Sequence, residues 1–227
     1  MTHVENPCLE AMLERLREWT DMPTFAELHD SYFRSERQHA EVEAYREKRG
    51  RLKRLRDEIV PVYNHLRARG FMGEVRFSLN NDPPDAWLRL NGQEEVGIEV
   101  TIALSRAQFE GGRRLNRQGA SPGHPHLRDG ASQREFDEWA SRPSRMIETS
   151  KLFDLTTRAV LDCLDGKDQA RYEGLDLLVE VPVFRLPRER WLPVFEKLRA
   201  RAAGMPFRQI HLISSHELGH PFGCQLK

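Results

Sequence analysis

Apolar residues recur at helical spacing from Pro7 to Trp19, where Leu9, Met12, Leu13 and Leu16 fall on one side behind a first-turn proline. Residues 24–49 keep a polar helical composition, so the first quarter of the chain is predicted to be helical. A second helical pattern runs from Arg51 to Arg69 through Leu52, Leu55, Ile59, Val62, Tyr63 and Leu66, with Pro61 expected to kink it and Gly70 to stop it. The period then changes to that of strands. Three short segments, 71–79, 85–90 and 94–104, are separated by the turn signals NNDPPD and NGQ and predict a three-strand meander. Residues 105–132 are rich in Gly, Arg, Ser and Pro and predict a long, mobile, basic loop. A helix over 144–164, a strand over 175–184, a helix over 187–203 and a strand over 209–214 are predicted to follow. This order gives an α/β fold, a mixed β-sheet flanked by helices over residues 51–227, with residues 1–50 as an N-terminal helical extension.

Composition adds a location and a charge map. Among 227 residues no apolar run approaches a membrane span, and the N-terminus lacks the basic cap and apolar stretch of a secretory signal. Cys8, Cys163 and Cys224 fit neither a disulfide framework nor a zinc ribbon, so a reducing, cytoplasmic setting is expected. Lys and Arg number 35, as do Asp and Glu, and the formal net charge is zero. The balance is not local. Between Tyr45 and Gly70 nine basic residues stand against Glu47, Asp57 and Glu58. A stripe of this kind is either a solvated helix face or an electrostatic footprint for a phosphate backbone, with Arg49, Lys53 and Arg56 as candidate contacts.

Candidate chemistry sits on the meander. Val96, Ile98, Val100, Ile102 and Leu104 alternate onto one face of the third strand, leaving Glu99 and Thr101 on the other. Matching the apolar faces of the second and third strands requires paired residue numbers with an even sum. A three-residue loop, Asn91–Gln93, places Leu88 opposite Val96 and Asp85 opposite Glu99. Two facing carboxylates repel unless a proton or cation lies between them. Mg2+ (or Mn2+) suits such hard oxygen ligands, and a metal so held neutralises charge on a phosphodiester and activates water. Phosphodiester hydrolysis is the reaction class this predicts.

"PPD" ending at Asp85, followed fourteen residues later by Glu99 in "IEVT", after one helix and before another helix and an apolar strand, resembles the PD-(D/E)XK restriction-endonuclease-like nuclease superfamily. The resemblance covers roughly residues 51–184. It implies a restriction-endonuclease-like core, metal ligands at Asp85 and Glu99, the Val100 carbonyl as a further ligand, and a helix carboxylate at Glu58. It also implies a Mg-dependent endonuclease acting on nucleic acid, DNA first, and dimerisation of the kind restriction-type enzymes use, with the N-terminal helices as the homodimer surface. Where the motif carries lysine, this chain has Thr101, which supplies no cation. The relocated lysine is assigned to Lys151 on the following helix, flanked by Ile147 and Leu155, with Thr101 beside the site. A Lys151 that snorkels to solvent beside Glu148 or Asp154 is the alternative.

Other signals compete. "HELGH" at His216–His220, with Gly223, matches most of a zinc-peptidase pattern, but Leu226 stands where the third histidine belongs and Pro221 interrupts the helix. The histidines of "GHPH" (Gly123–His126) receive no role. The arginines of the predicted loop, among them Arg113, Arg114 and Arg117, are either arms that close on nucleic-acid phosphates or a solubilising insertion. Trp87 shares a face with Asp85 and is the one tryptophan placed to stack on a base. No P-loop, dinucleotide fingerprint or nucleophile elbow is present in these 227 residues. A non-catalytic nucleic-acid- or protein-binding module on the same scaffold stays open beside the nuclease.

Overall fold

A computed structural model describes residues 6–90, 94–121, 127–141, 148–181, 188–214 and 223–227. HELGH and GHPH both lie outside these described residues. The described helices are α1 (Pro7–Arg15), α2 (Met22–Arg34), α3 (His39–Arg46), α4 (Arg51–Arg54), α5 (Val60–Ala68), α6 (Ser105–Gln118), α7 (Gln133–Ser141), α8 (Thr149–Gly166) and α9 (Arg188–Ala202). The strands are β1 (Thr20–Asp21), β2 (Glu74–Phe77), β3 (Ala86–Arg89), β4 (Val96–Ile102), β5 (Asp176–Glu180), β6 (Gln209–Ile213) and β7 (Gly223–Gln225). They form one seven-stranded sheet in chain order. Strands β1 to β4 are antiparallel, β4, β5 and β6 are parallel, and β7 returns antiparallel to β6.

The mixed α/β architecture follows from where apolar runs fall. All five residues of β5 are buried, as a central strand covered on both faces requires. One layer, α8 and α9 with Phe136 of α7, packs Val160, Leu164, Trp191, Phe195 and Leu198 against Leu177, Val179, Ile210 and Leu212. The opposite layer packs Leu13 and Leu16, Phe25, Leu55, Ile59 and Leu66 against Val75, Ile98, Val100, Leu178 and Ile213. The first fifty residues, expected as an extension, therefore share a core with the sheet, and β1 extends its edge by pairing with β2. Among the described residues no helix is long and apolar enough to cross a membrane.

Two local features set up the site. The helix expected over Arg51–Arg69 is continuous, and the irregularity at Pro61 is taken up by a π turn, Leu55–Ile59, between α4 and α5. A proline ring clashes with the carbonyl four residues back, and a wider turn just before it relieves that clash. Glu58 sits on this turn. Gly70 ends α5 at φ 60°, with its N–H donating to Arg67 and that of Phe71 to Leu66, a Schellman closure.

The basic loop expected over 105–132 is in its first half the helix α6. Gly111 and Gly112 there are not turn residues. A Cβ on Gly112 would lie 2.5 Å from the Arg46 carbonyl oxygen, so glycine lets α6 and α3 approach closely. Asp129 then caps α6 by accepting from the N–H groups of Ser105, Arg106 and Ala107.

Candidate active site

The β3–β4 register is that predicted from the apolar faces: Leu88 opposes Val96 and Ala86 opposes Ile98. One step beyond β3, Asp85 comes opposite Glu99. Its Oδ2 accepts from the Val100 N–H at 2.8 Å, so the carboxylate replaces a backbone ladder partner at the strand end. Burial raises the Asp85 carboxyl to about 6, with Glu99 adding to the rise, while the Val100 bond opposes it. Asp85 and Glu99 are thus electrostatically coupled, as the register demands.

Glu58 approaches from the other layer. Its carboxyl is raised to about 7, first by burial and then by Asp85, against the pull of Arg54, whose Nη1 lies 3.4 Å from both its oxygens. Leu55 and Ile59 anchor the π turn on the sheet face of Val100 and Leu178, whereas Glu99, level with Leu177, stands on the opposite face. Glu58 and Glu99 therefore flank Asp85 from two sides of the layer. Among the described residues no three His, Cys, Asp or Glu side chains gather closely enough to hold a metal ion. The trio Asp85, Glu99 and Glu58 reduces to a coupled pair with a third carboxylate to one side.

The cation at Glu99 is Lys167, not Lys151. Lys151 is exposed on α8 and pairs with Glu148 at 3.1 Å, the snorkelling alternative. Lys167 caps the C-terminus of α8 and reaches under β4, placing Nζ 2.5 Å from Glu99 Oε1. Burial works to lower the Lys167 pKa, but the bond to Glu99 and its charge outweigh it, so the ammonium is held charged. The Tyr172 hydroxyl lies 3.4 Å from Nζ, and the Tyr172 ring is 5.0 Å away. Tyr172 is buried and stacks on Phe207. Arg201 ties down Asp165 and Asp168 on either side of Lys167, at 2.8 and 2.7 Å. Arg171 adds a second cation, 2.6 Å from the Tyr172 hydroxyl. Burial pushes the Cys163 thiol of α8 up to about 11, with Thr101 acting to lower it.

Lys167, Arg171 and Tyr172 escaped the sequence reading because their place depends on a crossover. The only signal was a lysine between the predicted α8 and β5, just where a parallel strand enters beside β4.

Much of the basic stripe is committed internally. Arg56 donates to the carbonyls of Tyr45 and Arg46 and to Gln108, Lys48 pairs with Asp57 at 3.0 Å, and Arg54 reaches Asn80 and Asn81. On α6, Arg114 contacts Asp137 and faces the Trp139 ring, and Arg113 pairs with Glu110. Arg49, Lys53 and Arg117 are exposed. Trp87 is half-buried and opposes Gly97.

The donor set fits one hard cation to a limited extent. Glu99 Oε2 is buried with no hydrogen-bond partner, and the Asp85 and Glu58 carboxyls are raised first by burial and then by a neighbouring carboxylate. No family model matches this chain, and neither the curated proteins nor the solved structures contain a match to it.

Proposed function

We propose that the chain is a metal-dependent nuclease of restriction-endonuclease-like type, hydrolysing phosphodiester bonds in nucleic acid, with DNA as the first substrate to test. The observation that carries this reading is Lys167 Nζ at 2.5 Å from Glu99, beside a carboxyl of Asp85 lifted by burial and by that same Glu99. An aspartate, a glutamate and a lysine on adjoining elements supply two hard ligands and one fixed positive charge, the set that phosphodiester hydrolysis requires. Asp85 and Glu99 would hold Mg2+ (or Mn2+), with Glu58 to one side. When bound, the metal supplies water activation and charge neutralisation.

The remaining roles belong to side chains. Lys167 would hold the Glu99 carboxylate in place through their 2.5 Å contact and offer its ammonium to a bound phosphate. The Tyr172 hydroxyl, itself bound by Arg171, lies beside the Lys167 ammonium. Glu58, with its raised carboxyl, carries a proton near neutrality and is placed to take or give one beside Asp85. The order of elements, a helix, an antiparallel meander, a helix and a parallel strand, supports the family assignment through the resemblance alone.

The second reading is a binding module on this scaffold, favoured by one observation: Lys167 already neutralises Glu99, and among the described residues no third acid joins the pair closely enough to hold a metal. Plasmid nicking by purified protein with added Mg2+ or Mn2+ separates the two. The nuclease reading expects divalent-dependent nicking that Glu99→Ala and Lys167→Met each abolish. Nucleic-acid binding without nicking by the unmodified protein establishes the module.

A further inference from the structure

A polar cavity of about 300 Å3 lies on the sheet face opposite Glu99, between the end of α5 and strands β6 and β7. Its polar lining is Asn64, His65, Arg69, His211, Ser214 and Gln225. His211 is level with Leu178 and Val100, whose side chains meet the α5 layer, so the cavity is separated from the Glu99–Lys167 pair by the sheet itself. Nothing in the proposed cleavage chemistry uses it.

The two histidines are the unusual element. His65 is 8% and His211 5% exposed, and their ring centroids are 4.8 Å apart. Among the described residues no side chain or backbone group bonds the His65 ring, whose nitrogens are not fully enclosed and open onto the cavity. His211 Nε2 lies 3.4 Å from Arg69 Nη1 and 3.1 Å from Gln209 Oε1. A neutral ring either accepts from the first or donates to the second, never both. Two mostly buried imidazoles beside one guanidinium thus turn ring nitrogens toward the cavity, where a ligand can partner them.

Charge decides what would complete them. The described lining contains one permanent cation, Arg69, and no carboxylate. Among the described residues the acid that acts on His211 is Asp176, and it is clamped by Arg208 at 2.9 and 2.6 Å. A metal ion at His211 Nε2 would meet the Arg69 guanidinium beside that atom, so a cation is disfavoured. An oxyanion gains Arg69 directly and favours each imidazole as a charged donor. The volume lies at the lower limit of small-molecule sites, enough for a phosphate with a modest substituent.

We propose that this cavity is a binding site for a small phosphate monoester, held by Arg69, His65 and His211, on the opposite side of the sheet from the candidate active site. Both imidazoles are neutral without it: burial, then the other histidine and Arg69, take His65 down to about 3, and burial, then Arg69, take His211 down to about 4. Phosphate binding is therefore coupled to proton uptake by the two rings.

The test is an NMR titration of the histidine ring resonances, in chelator so that divalent-metal chemistry at Glu99 plays no part. Inorganic phosphate and a nucleoside monophosphate are the two probes. The expected result is saturable movement of the His65 and His211 resonances, with both apparent pKa values rising by about two units or more toward the ordinary imidazole value. Tighter binding of the nucleotide identifies an ester substituent as part of the ligand, and equal binding identifies the phosphate group alone; either supports the site. Arg69→Gln, at an exposed position, should weaken binding about tenfold or more without unfolding the protein. Resonances unmoved by either probe, affinity unchanged in Arg69→Gln, or a response to Zn2+ in place of phosphate would overturn the proposal.

Discussion

Lys167 Nζ and Glu99 Oε1 meet at 2.5 Å across 68 residues of sequence, one side chain 21% exposed and the other 8%. The pair joins the α8–β5 crossover to the middle of β4, so the cation needed beside Glu99 is delivered by the connection and not by the strand. Removing either partner leaves the other charge half-desolvated with little to replace it. Lys167→Met is therefore expected to destabilise the fold by about 1–3 kcal/mol, measured by urea unfolding. It should also lower divalent-dependent nicking about a hundredfold or more. Lys151→Met, which breaks only an exposed i,i+3 pair with Glu148, is expected to change neither.

Glu58 and Asp85 set a pH dependence of stability in the absence of divalent ions. A carboxyl whose folded pKa lies above its unfolded value holds its proton more tightly when folded, so the contribution is complete at low pH and is lost as pH rises. For Glu58 the window runs from its ordinary value of 4.5 to about 7, and each unit corresponds to about 1.4 kcal/mol before solvent screening. Urea midpoints in chelator are expected to fall across that window. Glu58→Gln, which cannot ionise, should flatten the fall and raise stability at neutral pH. A midpoint of Glu58→Gln that follows the unmodified protein across the window would show that Glu58 titrates normally.

How far the sequence carried the fold depends on whether a feature was local. The β3–β4 register was legible because alternation in "EEVGIEVTIAL" and a parity rule leave few pairings, and Leu88 does oppose Val96. The strands β1 and β7, two and three residues long, carry no periodicity to read and are set by what they pair with. Lys167 was missed for the same reason: flanking apolar residues favoured Lys151, whereas proximity to Glu99 is fixed by the β4–β5 pairing. Gly111 and Gly112 read as loop signals because composition does not tell a glycine that permits a turn from one that admits a neighbouring helix.

That last distinction is testable by adding single methyl groups. A Cβ at Gly112 would meet the Arg46 carbonyl oxygen at 2.5 Å and the Arg46 Cβ at 3.2 Å, and backbone cannot swing aside as a side-chain tip does. At Gly111 the nearest atom is Ser121 Oγ at 3.5 Å, an ordinary contact. Gly112→Ala is expected to cost about 1–3 kcal/mol from overpacking even though alanine favours helix. Gly111→Ala should gain up to about 1 kcal/mol from propensity alone. Opposite signs in thermal unfolding confirm that α6 is a helix seated on α3; two stabilising substitutions would mean that the helices are further apart.

The basic residues divide into two sets with different expected signatures on nucleic acid. Arg49, Lys53 and Arg117 are exposed, and a phosphate contact by each contributes about 0.9 to the slope of log affinity against log salt. Replacing all three by glutamine should flatten that slope by up to about three and leave the unfolding midpoint unchanged. Arg56 behaves differently because its guanidinium already donates to two backbone carbonyls and to Gln108. Arg56→Gln strands the Arg46 carbonyl at the end of α3, while that of Tyr45 keeps the Lys48 N–H, so it should lower stability by about 1–3 kcal/mol while the salt slope of the folded protein holds. A slope that drops in Arg56→Gln and stays fixed in the triple variant would move the nucleic-acid surface away from the exposed residues and onto the α3–α6 seam.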